Sequence, residues 1–158
     1  MNQPYQAPVQ PSMPSSPPIK LWTPGLIAGV TFLLGFPGGI VLSAINLMRM
    51  NLKNKALTFL AGGAVGIVIL TVITLFLPGN YGNFFALVVN IGILFFLYRQ
   101  AKADIESFKS SNHAVQNESE LVGCLIGLLT LVLYVILAFG IGFFIGIVLS
   151  ILGVPLPQ

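Results

Sequence analysis

The sequence predicts an all-α, polytopic membrane protein: a helical bundle of four transmembrane helices, the last one long or kinked. Three observations carry that prediction. The 158-residue chain is 56% hydrophobic, with a mean hydropathy of +0.94. Only 7% of it is charged, 7 basic and 4 acidic side chains, where soluble domains carry roughly a quarter. Four long apolar runs, at 24–48, 56–77, 82–99 and 121–152, alternate with short polar links. So few charges cannot build a water-facing shell, so acyl chains are expected to wet most of the surface.

Residues 1–22 read as a disordered tail ahead of a helical membrane domain at 23–154. Pro4, Pro8, Pro11, Pro14, Pro17 and Pro18 are set among Gln, Ser and Asn, which forbids helix and leaves little to form a core. The spacing Pro8-x-x-Pro11-x-x-Pro14-x-x-Pro17 has the period of a polyproline-II ligand, but a plain flexible tail explains it as well. The tail lacks the basic start and apolar centre of a signal peptide. Lys20 and Trp22 mark a membrane interface, where a snorkelling cation and an amphipathic ring are at home.

The first run opens with Pro24, suited to a helix's first turn because its missing N–H is no loss there. At 25 residues it is long enough to cross about 30 Å of hydrocarbon. A polar link with Arg49, Lys53 and Lys55 leads to the second run. Pro78-Gly79-Asn80-Tyr81-Gly82-Asn83 then reads as a tight uncharged turn. After the third run, residues 99–120 form the one soluble-looking stretch. Ala101, Ile105 and Phe108 recur there at helical spacing, so the third helix is expected to continue past the bilayer with one apolar stripe. Lys102–Glu106 and Glu106–Lys109 have helical pairing distances. Asn117-Glu118-Ser119-Glu120 reads as the cap of the last helix. That helix, 32 uncharged residues, is longer than the core requires and must tilt, protrude or break. Its weak point is Phe139-Gly140-Ile141-Gly142, and the alternative there is a hairpin of two half-length segments.

Cations near membrane segments favour the cytoplasmic side. Arg49, Lys53, Lys55, Arg99 and Lys102 are the topology determinants. They put the 49–55 and 99–120 connections in the cytoplasm and both termini outside a cell membrane, with Lys20 alone pointing the other way.

Pro37 lies mid-run and cannot donate to the carbonyl of Leu33, so a kink is expected, which either packs or lines a path. Gly35–Gly39–Ser43, Gly62–Gly66, Gly123–Gly127 and Gly142–Gly146–Ser150 are small-residue seams for tight helix crossings, internal or between subunits. Asn90 is the one amide deep in a span and should find an interhelical partner. Cys124, among apolar neighbours, reads as an inert buried thiol. His113, the sole histidine, lies near Glu118 and Glu120 on a loop with no closed ligand set. No metal, cofactor or catalytic residue can be named, no basic patch suits a nucleic acid, and an enzyme is not expected. No Asp, Glu, Lys or His falls inside a run and Arg99 only closes the third, which disfavours ion-coupled transport.

Trp22-Thr23-Pro24, Thr31-Phe32-Leu33-Leu34-Gly35-Phe36-Pro37 and Asn46 together resemble the first helix of a group of small uncharacterised bacterial multi-pass membrane proteins. The resemblance covers residues 21–50. It implies a bacterial cell membrane and singles out Gly35, Pro37 and Asn46, but carries no activity with it. The expected role is structural, accessory or partner-binding, with the bilayer and other membrane proteins, or further copies joined at the glycine seams, as partners. The alternative is a small oligomeric channel or transporter-like permeation protein with a path near Pro37 and Asn90.

Overall fold

The computed structural model describes residues 17–77, 79–111 and 114–153. The proline-rich spacing ahead of residue 17 and His113 lie outside the described residues. In chain order the elements are β1 (Ile19–Leu21), α1 (Pro24–Leu34), α2 (Phe36–Arg49), α3 (Lys53–Phe76), α4 (Gly79–Ser110), β2 (Val115–Asn117) and α5 (Glu120–Ile151). Three of these, α3, α4 and α5, are long and apolar enough to cross a membrane. Their outward faces carry large exposed apolar side chains from end to end, among them Val65, Phe95, Leu133 and Phe143. A surface of this kind is stable against acyl chains and not against water.

The run 24–48 is not one spanning helix. It breaks at Gly35, where φ is +84° and ψ is 163°, a conformation that only glycine adopts without strain. The chain then returns on itself, so that α1 and α2 lie antiparallel. Trp22, just ahead of α1, meets Asn46 near the end of α2, and Val30 meets Gly38 closer to the turn. The two arms have 11 and 14 residues, about 16 and 21 Å, too short to cross. Pro37 does not kink a continuous helix. It sits in the first turn of α2, where its missing N–H leaves no hydrogen bond unmade. Thr23 caps α1 by accepting from the backbone N–H of Leu26 at 3.2 Å.

This hairpin is the centre of the bundle. α2 packs on α1, α3, α4 and α5, whereas α4 and α5 pack on each other weakly at most. Close approach is made by glycines. A Cβ on Gly39 would overlap the Thr31 hydroxyl, and one on Gly127 would come within 2.6 Å of Val30 and 3.0 Å of Leu34. Gly123 lies as tightly against Leu26 and Trp22, and Gly63 against Ile40. Buried Thr31 turns its hydroxyl back to the Ile27 carbonyl at 2.7 Å.

Three further expectations are corrected. The segment 17–22 is not all tail: β1 pairs in parallel with β2, with Lys20 opposite Gln116. The turn expected over 78–83 is shorter, because α4 already begins at Gly79. Cys124 is exposed on the outer face of α5, where apolar sequence neighbours mean lipid contact and not a protein core. The last run is a single helix, 32 residues without a break at Phe139–Gly142. α4 continues to Ser110, and Ala101 and Ile105 are buried on its inner face.

Asn46 closes the hairpin. Its Oδ1 accepts from the Trp22 N–H at 3.0 Å and its Nδ2 donates to the Trp22 carbonyl at 2.8 Å. Asn46→Ala leaves two buried backbone groups unmet, so unfolding in detergent micelles is expected to lose about 2–4 kcal/mol. Unchanged stability would mean that the clamp does not hold the arms together.

Candidate functional site

Two places in the fold gather polar or cavity-forming residues. The first is a latch at the charged end. Trp22 is 1% exposed, so it is not the interfacial anchor that its sequence position predicts. Besides its backbone bonds to Asn46, its indole Nε1 donates to the Ser119 carbonyl at 3.1 Å. Arg49 lies 4.6 Å above the ring centroid, a cation–π distance. The same guanidinium donates to the Lys20 carbonyl at 2.8 Å and to Glu118 Oε2 at 2.9 Å. Arg49 thus ties β1, the end of α2 and the start of α5 together. Its place in the last turn of α2 also suits the negative end of that helix.

Ser119 stands at the N-cap of α5, but its side chain makes no capping bond. Its backbone carries the contact instead: the N–H donates to Glu118 Oε1 at 3.1 Å and the carbonyl accepts from Trp22 and Gly123. On the neighbouring side, Lys55 pairs with Asp104 at 2.6 Å, and Gln100 holds both oxygens of that carboxylate at 3.3 Å. Lys102 lies 3.9 Å from Glu106. Arg49–Glu118 and Lys55–Asp104 draw 49–55 and 99–120 to one end, and β1 brings Lys20 there too. The expectation that residues ahead of the first helix lie opposite those connections is therefore corrected. A hairpin returns the chain to the end from which it started.

The second place is a cavity of about 340 Å³ beneath the hairpin tip, among α3, α4 and α5. Gly35, Pro37 and Asn90 all line it, together with Leu70, Thr74 and Tyr134. Of the residues singled out by sequence, three meet here. Gly39 and Asn46 do not: one is packed against Thr31, the other belongs to the latch. Asn90 Nδ2 donates to the Thr31 carbonyl at 3.3 Å, while its Oδ1 is buried without a partner. The Thr74 hydroxyl donates to the Leu70 and Thr71 carbonyls and keeps lone pairs to accept with. Tyr134 meets Phe36 edge-on at 6.2 Å. No acid, amine, imidazole or thiol lines this cavity, so what it offers is shape and hydrogen bonding. Among the described residues there is no group of three or more side chains suited to holding a metal.

A second apolar cavity of about 320 Å³ lies among α2, α3 and α4, with Gly62 and Gly66 among its lining residues and the stacked Phe59–Phe96 pair on its walls. The sequence marks Trp22 and Glu118 only as an interface residue and part of a helix cap, and Thr74 and Tyr134 not at all. Their roles depend on contacts that span 24, 69 and 97 residues, or on a cavity that exists only once the hairpin has formed. The pairing of Arg49 with Glu118 is likewise invisible in the spacing of either.

Glu118 is held below the usual carboxylate range, first by the Ser119 N–H and then by Arg49. A folded-state pKa that is lowered stabilises the fold above the ordinary carboxylate range and loses that contribution as the carboxylate is protonated. Between about pH 7 and about pH 3 the wild-type chain is expected to lose stability that Glu118→Gln already lacks. Parallel unfolding profiles of the two proteins would remove Glu118 from the latch.

No family model, curated protein or solved structure matches this chain.

Proposed function

We propose that the chain is a multi-pass protein of a bacterial cell membrane with an accessory, partner-binding role, built from three crossing helices and one re-entrant hairpin. The observation that carries the reading is the division of its glycines. Gly38, Gly39, Gly63, Gly123 and Gly127 are consumed by internal packing, whereas a Cβ on Gly62, Gly66, Gly142 or Gly146 would meet nothing within 4 Å. Glycine inside a helix costs about 1 kcal/mol relative to alanine. An outward pair four apart repays that cost when a second helix packs against it, because close backbone approach drives association in lipid. The partners are other membrane proteins or further copies of this chain.

In this reading all eleven charged side chains, at the end that carries the latch, face the cytoplasm, as the bias of Lys and Arg favours. Residues 17–22 are then cytoplasmic and the end of α5 is outside, unlike the arrangement expected from four full spans. Reporter fusions ahead of Ile19 and after α5 test this. The first is expected to be active only as a cytoplasmic fusion and the second only as an exterior one. The reverse result at either site would overturn the orientation.

The partner reading is tested by crosslinking in native membranes. The doubles Gly62→Leu with Gly66→Leu and Gly142→Leu with Gly146→Leu are expected to lower the crosslinked fraction several-fold while leaving thermal stability intact. Gly127→Leu, at an internal crossing, is the contrast and should lose the fold. Unchanged crosslinking in both doubles would sink the reading. A second reading, permeation, is favoured by Gly35, Pro37 and Asn90 lining one cavity. It requires an opening at both ends, and the latch stands across one of them.

A further inference from the structure

We infer that the cavity beneath the hairpin tip is a water-filled vestibule, entered from the uncharged end of the bundle and stopped at the hairpin. The inference is independent of what binds the glycine seams.

Depth is the first argument. Leu70 and Thr74, the 18th and 22nd residues of α3, lie about 26 and 32 Å from its charged end. The hairpin arms reach only about 16 and 21 Å from that end. In a hydrocarbon layer about 30 Å thick, the cavity therefore runs from near the bilayer centre to the far interface.

Backbone chemistry is the second. Each helix leaves its first N–H groups and last carbonyls without intrahelical partners. The end of α1 and the start of α2 place both sets at one point, near the middle of a bilayer. Non-helical backbone at that depth persists only where protein buries it or where it lines water. Protein buries this tip incompletely: Phe36, Pro37, Gly38 and Gly39 are buried, but Leu34 and Gly35 at the turn itself are only half-buried. One carbonyl, that of Thr31, is met by Asn90 Nδ2.

Side-chain chemistry is the third. Asn90 Oδ1 is buried without a partner. The Thr74 hydroxyl has accepting capacity left, and Tyr134 completes a trio of polar side chains around one space. Hydrocarbon answers none of these groups, whereas water answers the hydroxyls and the helix ends, and reaches Asn90 Oδ1 when that side chain turns toward the cavity. α4 and α5 pack on each other weakly at most and both line the cavity, so their packing does not seal it. At the other side the hairpin fills the centre of the bundle, and buried Trp22 and Asn46 close its base.

Cysteine labelling tests this in sealed vesicles of known orientation. Thr74→Cys and Leu131→Cys, each in a Cys124→Ser chain, are compared with Ile69→Cys, exposed on α3 at a depth between the two. A membrane-impermeant methanethiosulfonate reagent is applied to one side and then the other. Modification at the two cavity positions is expected to be at least about tenfold faster than at position 69, from the uncharged side alone. Rates equal to that of position 69 would mean that acyl chains occupy the cavity, and modification from the charged side would mean that the hairpin is no barrier. Either result overturns the inference. Amide hydrogen exchange of the unaltered chain in lipid nanodiscs guards against misfolded variants. The amides of Gly35, Phe36 and Gly38 should exchange while 62–66 stay protected, and protection of both sets would also overturn it.

Discussion

Asn46 gripping both backbone groups of Trp22 is the interaction from which the rest of this architecture follows. A side-chain amide here does the work of a neighbouring strand, satisfying an N–H and a carbonyl at a point where the chain is neither helix nor sheet. Because the grip joins the entry of α1 to the exit of α2, the two arms must be antiparallel. Because they are antiparallel, the chain reaches α3 at the end where it began. Three helices long and apolar enough to cross then remain, and the two ends of the described chain fall at opposite ends of the bundle. The sheet of β1 and β2, the Arg49 bridge and the indole bond to Ser119 reinforce a base that the amide has already set.

Glycine does two different jobs in the same helices. At Gly35 it supplies a backbone conformation denied to other residues, and a hairpin becomes geometrically available. At Gly38, Gly39, Gly123 and Gly127 it removes a side chain so that α1, α2 and α5 can meet nearly backbone to backbone. In lipid, where apolar side chains gain little by leaving one apolar medium for another, such contact is the main source of adhesion between helices. The outward glycines obey the same physics, and a second surface is what would complete them.

Charge and polarity are divided along the long axis. Every ion pair among the described residues lies at the latched end, where water is near and where a short connection must be held in register. The opposite half holds only neutral polar groups, Thr74, Asn90 and Tyr134, around a space left because the hairpin stops short. A rigid end and an open end in one small bundle thus have a single cause: two of the five helices are about half as long as the others.

The solvent of this protein was legible in its sequence. Composition calls for an apolar surface facing lipid, and the length of 56–77 and 121–152 gives helices long and apolar enough to cross a membrane. The stripe Ala101, Ile105, Phe108 marked the inner face of α4, since helical periodicity is a local property. The Gly35–Pro37 motif was visible too, but its meaning was not. Twenty-five apolar residues can cross once or turn back, and a proline can kink a helix or start one. The choice depends on whether the freed backbone groups find partners. Those partners are Asn46, 24 residues from Trp22, and Asn90, 59 from Thr31. No local pattern encodes such a meeting. It exists only when the helices have assembled, so the hairpin, the position of the N-terminal strand and the cavity were decided by tertiary packing.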